Sequence, residues 1–478
     1  MKNSKWLSAT LASALLATVG MGSVSAASAG TNVNSVATNK VAATTVVKVG
    51  TATWNVNGTP IAFNTIDHNG YKLYSLNQVA GEIGAKLVLG TSGFELNDSK
   101  GLHNVQLTIG SKSYQVDGNT ESFTVAPVIY NGKAYVELTK LVLALGGELD
   151  ADAGTILSFA RPEGLFDTLH WTAAGQLIAN KSDAEITQLY KFSTEPGNYE
   201  LFSSEDSAVD FAVSPDGQWG AFNDETGLLN LINLSSGAIK VLGTDNSVKT
   251  DLVWSADGTK IYFIQGDKQE KIAQITVDTG VVKSLLADKV ENKSELRIST
   301  DEKTAVYIVN VTGVAKNDAD STEDSLTVDY SSAGEQLYKL DLATKDAKPA
   351  ALTTTPDNKL YPEILADGNI VYLSADAEGN AKNTLKLVKA DATSTNIALD
   401  IEVNWSTGVS NGLVVSGVAA DGSTVIYAVD AKGAKTELFR TTEDVSEVSV
   451  SKDGSRLAIV SGDSVWVVQG GKALQLTK

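Results

Sequence analysis

The sequence predicts a mainly β protein: a small α+β domain followed by a β-propeller of about seven blades, with six or eight also compatible. Three observations lead there. A polar turn, usually Asp-Gly, followed by strands of alternating apolar and polar residues recurs from residue 165 to 478; no helical periodicity interrupts that array; and a separate duplicated unit with two helix-period segments precedes it, between about 46 and 160.

The copies of the repeat run in order. Thr172-Ala173-Ala174-Gly175 precedes Leu177-Ile178 as a degenerate first copy. Ser214-Pro215-Asp216-Gly217 then runs into Trp219-Gly220-Ala221-Phe222, and Ser255-Ala256-Asp257-Gly258 into Ile261-Tyr262-Phe263-Ile264. Ser299-Thr300-Asp301-Glu302 leads to Val306-Tyr307-Ile308-Val309, Ala366-Asp367-Gly368 to Ile370-Val371-Tyr372-Leu373, Ala420-Asp421-Gly422 to Val425–Val429, and Lys452-Asp453-Gly454 to Leu457-Ala458-Ile459-Val460. The steps are 42, 41, 44, 66, 54 and 32 residues, near the ~40 to 50 of a four-stranded blade. Asp-Gly suits a two-residue hairpin, which needs positive φ. Most copies carry a second strand, such as Leu229–Leu234 or Val465–Val468, whereas the Gly422 copy reads as two strands merged into one. Each blade needs a neighbour to cover its apolar faces, so a closed ring is expected.

The first 26 residues combine Lys2 and Lys5, an apolar run from Trp6 through Val19, and Val24-Ser25-Ala26, the form of a cleaved secretory signal. A linker rich in Ser, Thr, Asn and Ala follows, to residue 45. Removing Lys2 and Lys5, and no acidic residue, takes the formal charge from −19 to −21. Such acidity argues against nucleic acid or an anionic membrane as partner, since both require clustered Lys and Arg. The four arginines, Arg161, Arg297, Arg440 and Arg456, are scattered. Absence of cysteine excludes disulfides, thiolate catalysis and a lipidated cysteine. Without a sorting-type tail or an apolar C-terminal segment, the expected location is secreted, either extracellular or cell-wall associated.

In the small domain Val56-Asn57-Gly58 is echoed by Val116-Asp117-Gly118, and His68-Asn69-Gly70-Tyr71 by Tyr130-Asn131-Gly132-Lys133. Leu76, Val79, Ala80 and Ile83 before Gly84, and Leu138, Leu141, Val142 and Leu145 before Gly146, give two apolar helix faces, each ended by a glycine placed for a left-handed cap. Two hairpin-plus-helix halves are therefore expected.

The Ser-Pro-Asp-Gly-x-Trp form at 214 to 219 resembles the repeats of TolB-like and other WD40-like propellers. That resemblance implies architecture, because such propellers serve unrelated functions. Ile83-Gly84-Ala85-Lys86-Leu87 and Leu145-Gly146-Gly147-Glu148-Leu149 resemble the copper amine oxidase N-terminal-like, or stalk, domain; Tyr74-Ser75 and Val136-Glu137 stand where that family has Val-Pro. This second resemblance implies surface display and spacing, without copper chemistry.

No catalytic, cofactor-binding or metal-ligating residue is nominated. His68, His103 and His170 lack the spacing of a helical zinc site and read as turn or strand residues. Neither a Gly-x-Ser-x-Gly elbow nor a phosphate loop occurs. Asp318, Asp320, Glu323 and Asp324 lack the glycine and terminal Glu of a calcium loop and read as a solvated insertion; Asp150 and Asp152 read as turn residues. The functional expectation is a non-catalytic binding scaffold whose propeller engages a protein or a glycan. The alternatives are a hydrolase or lyase acting on polysaccharide through channel carboxylates, and a stalk that binds nothing specific. Carboxylates converging with aromatics at the channel mouth would favour the enzyme.

Overall fold

Ile261-Tyr262-Phe263-Ile264 is buried along its whole length, and the reason defines the propeller. Ile261 and Phe263 pack with Ala221, Leu229 and Leu231 of the preceding blade, whereas Tyr262 and Ile264 pack with Leu296, Ala305 and Tyr307 of the following one. The second strand of the fifth blade does the same, giving Tyr372 to one side and Val371 and Leu373 to the other. Alternate side chains enter two different cores, so these strands are apolar throughout and the expected apolar/polar alternation is absent. Burial of each large apolar side chain contributes roughly 1.5–3 kcal/mol.

The computed structural model describes residues 47–90, 93–185, 188–203, 211–316, 327–329, 333–376, 378–389, 392–430 and 432–478. The expected signal peptide, the linker and the acidic cluster Asp318–Asp324 lie outside the described residues. Seven four-stranded antiparallel sheets follow one another along the chain from Phe166 to Gln475. Each takes four strands consecutive in that sheet, so no strand is exchanged to close the ring. The first strand of blade 1 (Phe166–Trp171) lies beside the first strand of blade 7 (Val445–Val450). Phe166, Leu169 and Trp171 share a core with Ala458, Val460 and Val467, which seals that seam.

Two irregular steps have a simple origin. In blade 4 a short hairpin, Val314–Lys316 with Thr327–Asp329, is inserted between the second and third strands, which accounts for the step of 66. In blade 6 the first hairpin joins Ile401–Val409 to Gly412–Ala419 through Ser410-Asn411, with no Asp-Gly. Asp421-Gly422 instead joins the second and third strands, so Val425–Val429 belongs to the third strand and is not a merged pair. Measured to Asn411, the steps of 54 and 32 become 43 and 43.

The Asp-Gly turns also differ from the two-residue form expected. In blades 2, 3, 4 and 7 the loop spans four residues, and only its third takes positive φ: Gly217 (64°), Gly258 (71°), Glu302 (58°) and Gly454 (73°). The aspartate acts through its side chain. Asp257 Oδ1 accepts from Ser255 Oγ at 2.7 Å and from the Thr259 N–H at 3.0 Å, while Ser255 Oγ accepts from the Lys260 N–H at 2.9 Å. The same bonds recur at Ser214/Asp216, Ser299/Asp301 and Ser451/Asp453. The Ser255 hydroxyl, followed by the Thr259 N–H, pulls Asp257 down to about 2. True two-residue turns occur in the small domain, where Asn57-Gly58, Asn69-Gly70, Asp117-Gly118 and Asn131-Gly132 have positive φ at both positions.

The small domain holds the two expected helices, α1 (Leu76–Glu82) and α2 (Leu138–Ala144). Ala85 and Gly147 N–H groups reach back to the Ala80 and Val142 carbonyls, closing both helices on a left-handed glycine. The two halves are less alike than their sequences suggest. The Asn69 and Asn131 hairpins join edge to edge in one seven-stranded sheet through Ser75 and Tyr135, whereas Asp117-Gly118 lies in a separate five-stranded meander from Lys86 to Ser122. Asp150 Oδ1 accepts from the Asp152 and Ala153 N–H groups, a turn as expected.

Three lysines that sequence reading passed over are fully buried at the start of first strands: Lys249, Lys293 and Lys359. Lys249 Nζ donates to the Gly227, Asp245 and Ser247 carbonyls at 2.8–2.9 Å, with Asp245 Oδ1 at 3.4 Å. Lys293 donates to Asp288 Oδ1 and the Glu270 and Val290 carbonyls, and Lys359 to Asp357 and the Thr355 carbonyl. Each ammonium fastens the connection from one blade to the next. Lys293→Met should therefore leave Asp288 and the Glu270 and Val290 carbonyls without their buried donor, costing about 1–3 kcal/mol. Thermal unfolding followed by circular dichroism should show a drop of several degrees, against little change for the exposed Lys303→Met.

Candidate functional site: the central channel

The first strand of blades 1, 3, 4 and 5 is bent before it reaches its turn. Pairing with the second strand slips between Asp167 and His170, Thr250 and Val253, Ser294 and Arg297, and Leu360 and Glu363. Within each slip one residue takes positive φ: Thr168 (55°), Asp251 (52°), Glu295 (54°) and Tyr361 (50°). A β-branched or bulky residue rarely accepts that conformation, so the packing of the ring must hold it there.

In blades 4 and 1 the bulge turns backbone N–H groups away from its own sheet, and the preceding blade supplies the acceptor. Asp251 Oδ1 accepts from the Glu295 N–H at 2.9 Å, and the Leu296 N–H reaches the same carboxylate. At the seam Glu447 accepts from Thr168 N–H at 2.9 Å and Leu169 N–H at 2.6 Å. Two tryptophans repeat the logic one step further on: Trp254 Nε1 donates to the Ala212 carbonyl at 2.8 Å and Trp171 Nε1 to that of Ser449 at 3.2 Å.

First strands of all seven blades enclose a cavity of about 960 Å³ along the axis. Its wall carries Trp171, Phe211 and Trp254, with His170 stacked on Phe211 at 4.3 Å between centroids. On one side Arg297 and Glu363 meet: Arg297 Nε lies 3.4 Å from Glu363 Oε1, and Nη2 donates to Glu295 Oε2 at 3.1 Å. A Cβ on Gly408 would stand 2.7 Å from Glu363 Oε2, so that glycine makes room for the carboxylate. Burial works against the Arg297 charge, but Glu363 and Glu295 more than offset it and push the guanidinium further up. Burial likewise raises the Asp251, Glu295 and Glu447 carboxyls above the usual range.

The three histidines have separate surroundings. His68 Nε2 contacts Asn69 at 3.2 Å, His103 Nδ1 contacts Asp117 Oδ2 at 2.8 Å, and only His170 lies in the channel. Among the described residues no group of three or more His, Asp or Glu is placed to hold a metal ion. Arg161 pairs with Glu148 and Arg440 with Glu437, leaving Arg297 at the axis and Arg456 at the channel mouth. Sequence reading missed Asp251, Glu295, Arg297, Glu363 and Glu447. A signal existed: Asp251, Glu295 and Glu447 each stand four residues before the serine of the following turn, at Ser255, Ser299 and Ser451.

The chain thus combines a helix-bearing N-terminal domain with a seven-bladed propeller. Residues 55–157 match the family described as the copper amine oxidase N-terminal domain. No curated protein matches the chain. Among solved structures it is similar to an oligogalacturonate lyase in complex with manganese (12% identity, 66% of this chain and 86% of that one, TM-score 0.46). It is also similar to the tricorn protease (10% identity, 89% and 47%, TM-score 0.44) and to a putative TolB from Agrobacterium tumefaciens (17%, 49% and 80%, TM-score 0.35). At these values the likenesses say nothing about activity, and the propeller assignment rests on the seven sheets themselves.

Raised carboxyls carry a pH signature. With the native Glu295 pKa above its unfolded value, the native state holds a proton that the unfolded chain has lost, so stability falls as pH rises through that window and is regained on acidification. Relative to Glu295→Gln, the parent protein should gain in melting temperature as pH drops from neutral towards the ordinary carboxylate range of about 4, with no further relative gain below it. Melting curves at stepped pH check this.

Proposed function

We propose that this protein is a secreted, non-catalytic binding scaffold of the extracellular space or cell envelope, in which the propeller engages a protein or a glycan through its channel or loop-bearing face. One observation supports it above the others: the buried carboxylates of the first strands around the channel are already committed. Asp251 and Glu447 accept backbone N–H groups of the next blade, and Glu295 and Glu363 hold Arg297. A general acid or base needs a carboxyl that can change protonation against substrate without breaking the ring. The N-terminal region with Lys2, Lys5 and the apolar run supports export. Among the described residues no helix is long and apolar enough to cross a membrane.

A polysaccharide hydrolase or lyase is the second reading. What favours it is burial lifting Asp251, Glu295 and Glu447 on the first strands that surround the channel, since raised carboxyls accompany acid–base sites.

Incubation of the protein, after removal of residues 1–26, with isolated cell walls and a panel of soluble polysaccharides separates the two. Retention without new low-mass products in mass spectrometry is the expected result. Products that disappear in Glu363→Gln would establish the enzyme instead.

A further inference from the structure

A second cavity, of about 740 Å³, opens between the small domain and the outer edge of the propeller seam. One wall is the end of α1 with Asn55 and Asn57; the other is the turn Thr194–Asn198 of blade 1 and the last hairpin of blade 7, with Gln469 and Gln475. The walls are fixed. Arg161 donates to Glu148 Oε1 at 2.5 Å and to Gln475 Oε1 at 2.5 Å, and Lys478 Nζ stands 3.3 Å from Glu148 Oε2. Backbone bonds tie Lys478 to Pro162 and Gly164, and Asn57 is latched to Ser158 through both ends of its amide.

We propose that this cleft binds an uncharged oligosaccharide bearing hydroxyl and acetamido groups. The argument is chemical. The exposed amides of Asn55, Asn198 and Gln469 line it and make no side-chain hydrogen bond among the described residues. Each offers donors and an acceptor together, matching the mixed edge of a sugar ring. Between them Leu157, Phe159, Pro196 and Leu474 give apolar surface for sugar C–H faces. Charge selects further. Arg161 and Lys478 both pair with Glu148, and the exposed Glu82 and Glu195 at the lips tip the local balance to negative, so a polyanion is repelled. The size falls within the ~300–1,000 Å³ of ligand clefts, which favour domain junctions. Fixed walls reduce the ordering cost of binding.

The test is calorimetric titration of the protein lacking residues 1–26 with the N-acetylglucosamine tetramer, with polygalacturonate as the polyanion. The parent should bind the tetramer and not the polyanion. Asn55→Ala, Asn198→Ala and Gln469→Ala combined should weaken binding at least about tenfold, at an unchanged melting temperature, since all three side chains are exposed. No binding by the parent, equal binding by the triple variant, or preference for polygalacturonate overturns the inference. The inference draws on the binding-scaffold reading but concerns a different site. Cell-wall retention undiminished in the triple variant would refute the cleft and leave that reading standing, whereas loss of all retention and new products in the parent would refute that reading.

Discussion

Two joints of the propeller, the seam among them, depend on one arrangement at the axis: a bulge in the first strand of a blade that presents two N–H groups to the blade before it, and a carboxylate there to receive them. Asp251 does this for Glu295 and Leu296, and Glu447 for Thr168 and Leu169. A bulge left unanswered would bury two unpaired donors, each costing about 1–3 kcal/mol, in addition to the strain of positive φ at Thr168, Glu295 or Tyr361. Answered, as in blades 1 and 4, it converts a weak point of the sheet into a joint between sheets. Buried lysines perform the complementary task on blades 3, 4 and 5, where a cation gathers the carbonyls of the incoming connection. Acid at the bulge and base two residues before it, as in Lys249/Asp251 and Lys293/Glu295, thus brace opposite sides of the same turn of chain.

The architecture was legible because the repeat is written in residues that act locally. Ser and Asp at fixed offsets build each turn with their own atoms, followed by Gly in three of the four, so these blades announce themselves whatever surrounds them. Blade 6 escaped because its first hairpin needs only Ser410-Asn411 and a glycine at 412, while an Asp-Gly turn of the same appearance sits one strand later. Local chemistry specifies a turn but not which two strands it joins. The same limit explains the small domain: four two-residue turns are plain in sequence, yet which hairpins share a sheet is decided by long-range pairing such as Ser75 with Tyr135.

The channel was far less legible. Glu295, Arg297 and Glu363 are ordinary surface residue types in an acidic chain, and Glu363 lies 66 residues beyond Arg297. Packing of adjacent blades brings them together, and Gly408, from a third blade, leaves space for the Glu363 carboxylate. Burial there is a property of seven strands side by side, which no single strand records. The offset of four between carboxylate and turn serine carried the one usable hint, since it repeats with the blade and has no role inside the turn.

Closure without strand exchange leaves the seam between blades 1 and 7 dependent on side chains, and the small domain bears on that point. Phe166, Trp171 and Val460 seal the interior of the seam, and Glu447 bridges it at the axis. Outside, Lys100 of the small domain stacks on Phe159 at 4.2 Å and reaches the Tyr199 carbonyl in the outer strand of blade 1 at 3.5 Å. Arg161 meanwhile joins Glu148 to Gln475 in the outer strand of blade 7. The Arg161 charge overcomes the burial that would otherwise lift Glu148, and holds that carboxyl below its usual range. A domain that contacts both edges of the one seam lacking a covalent crossing opposes its opening, much as a shared strand would. The same contacts create the amide-lined cleft, so the geometry that secures the ring also builds its second cavity.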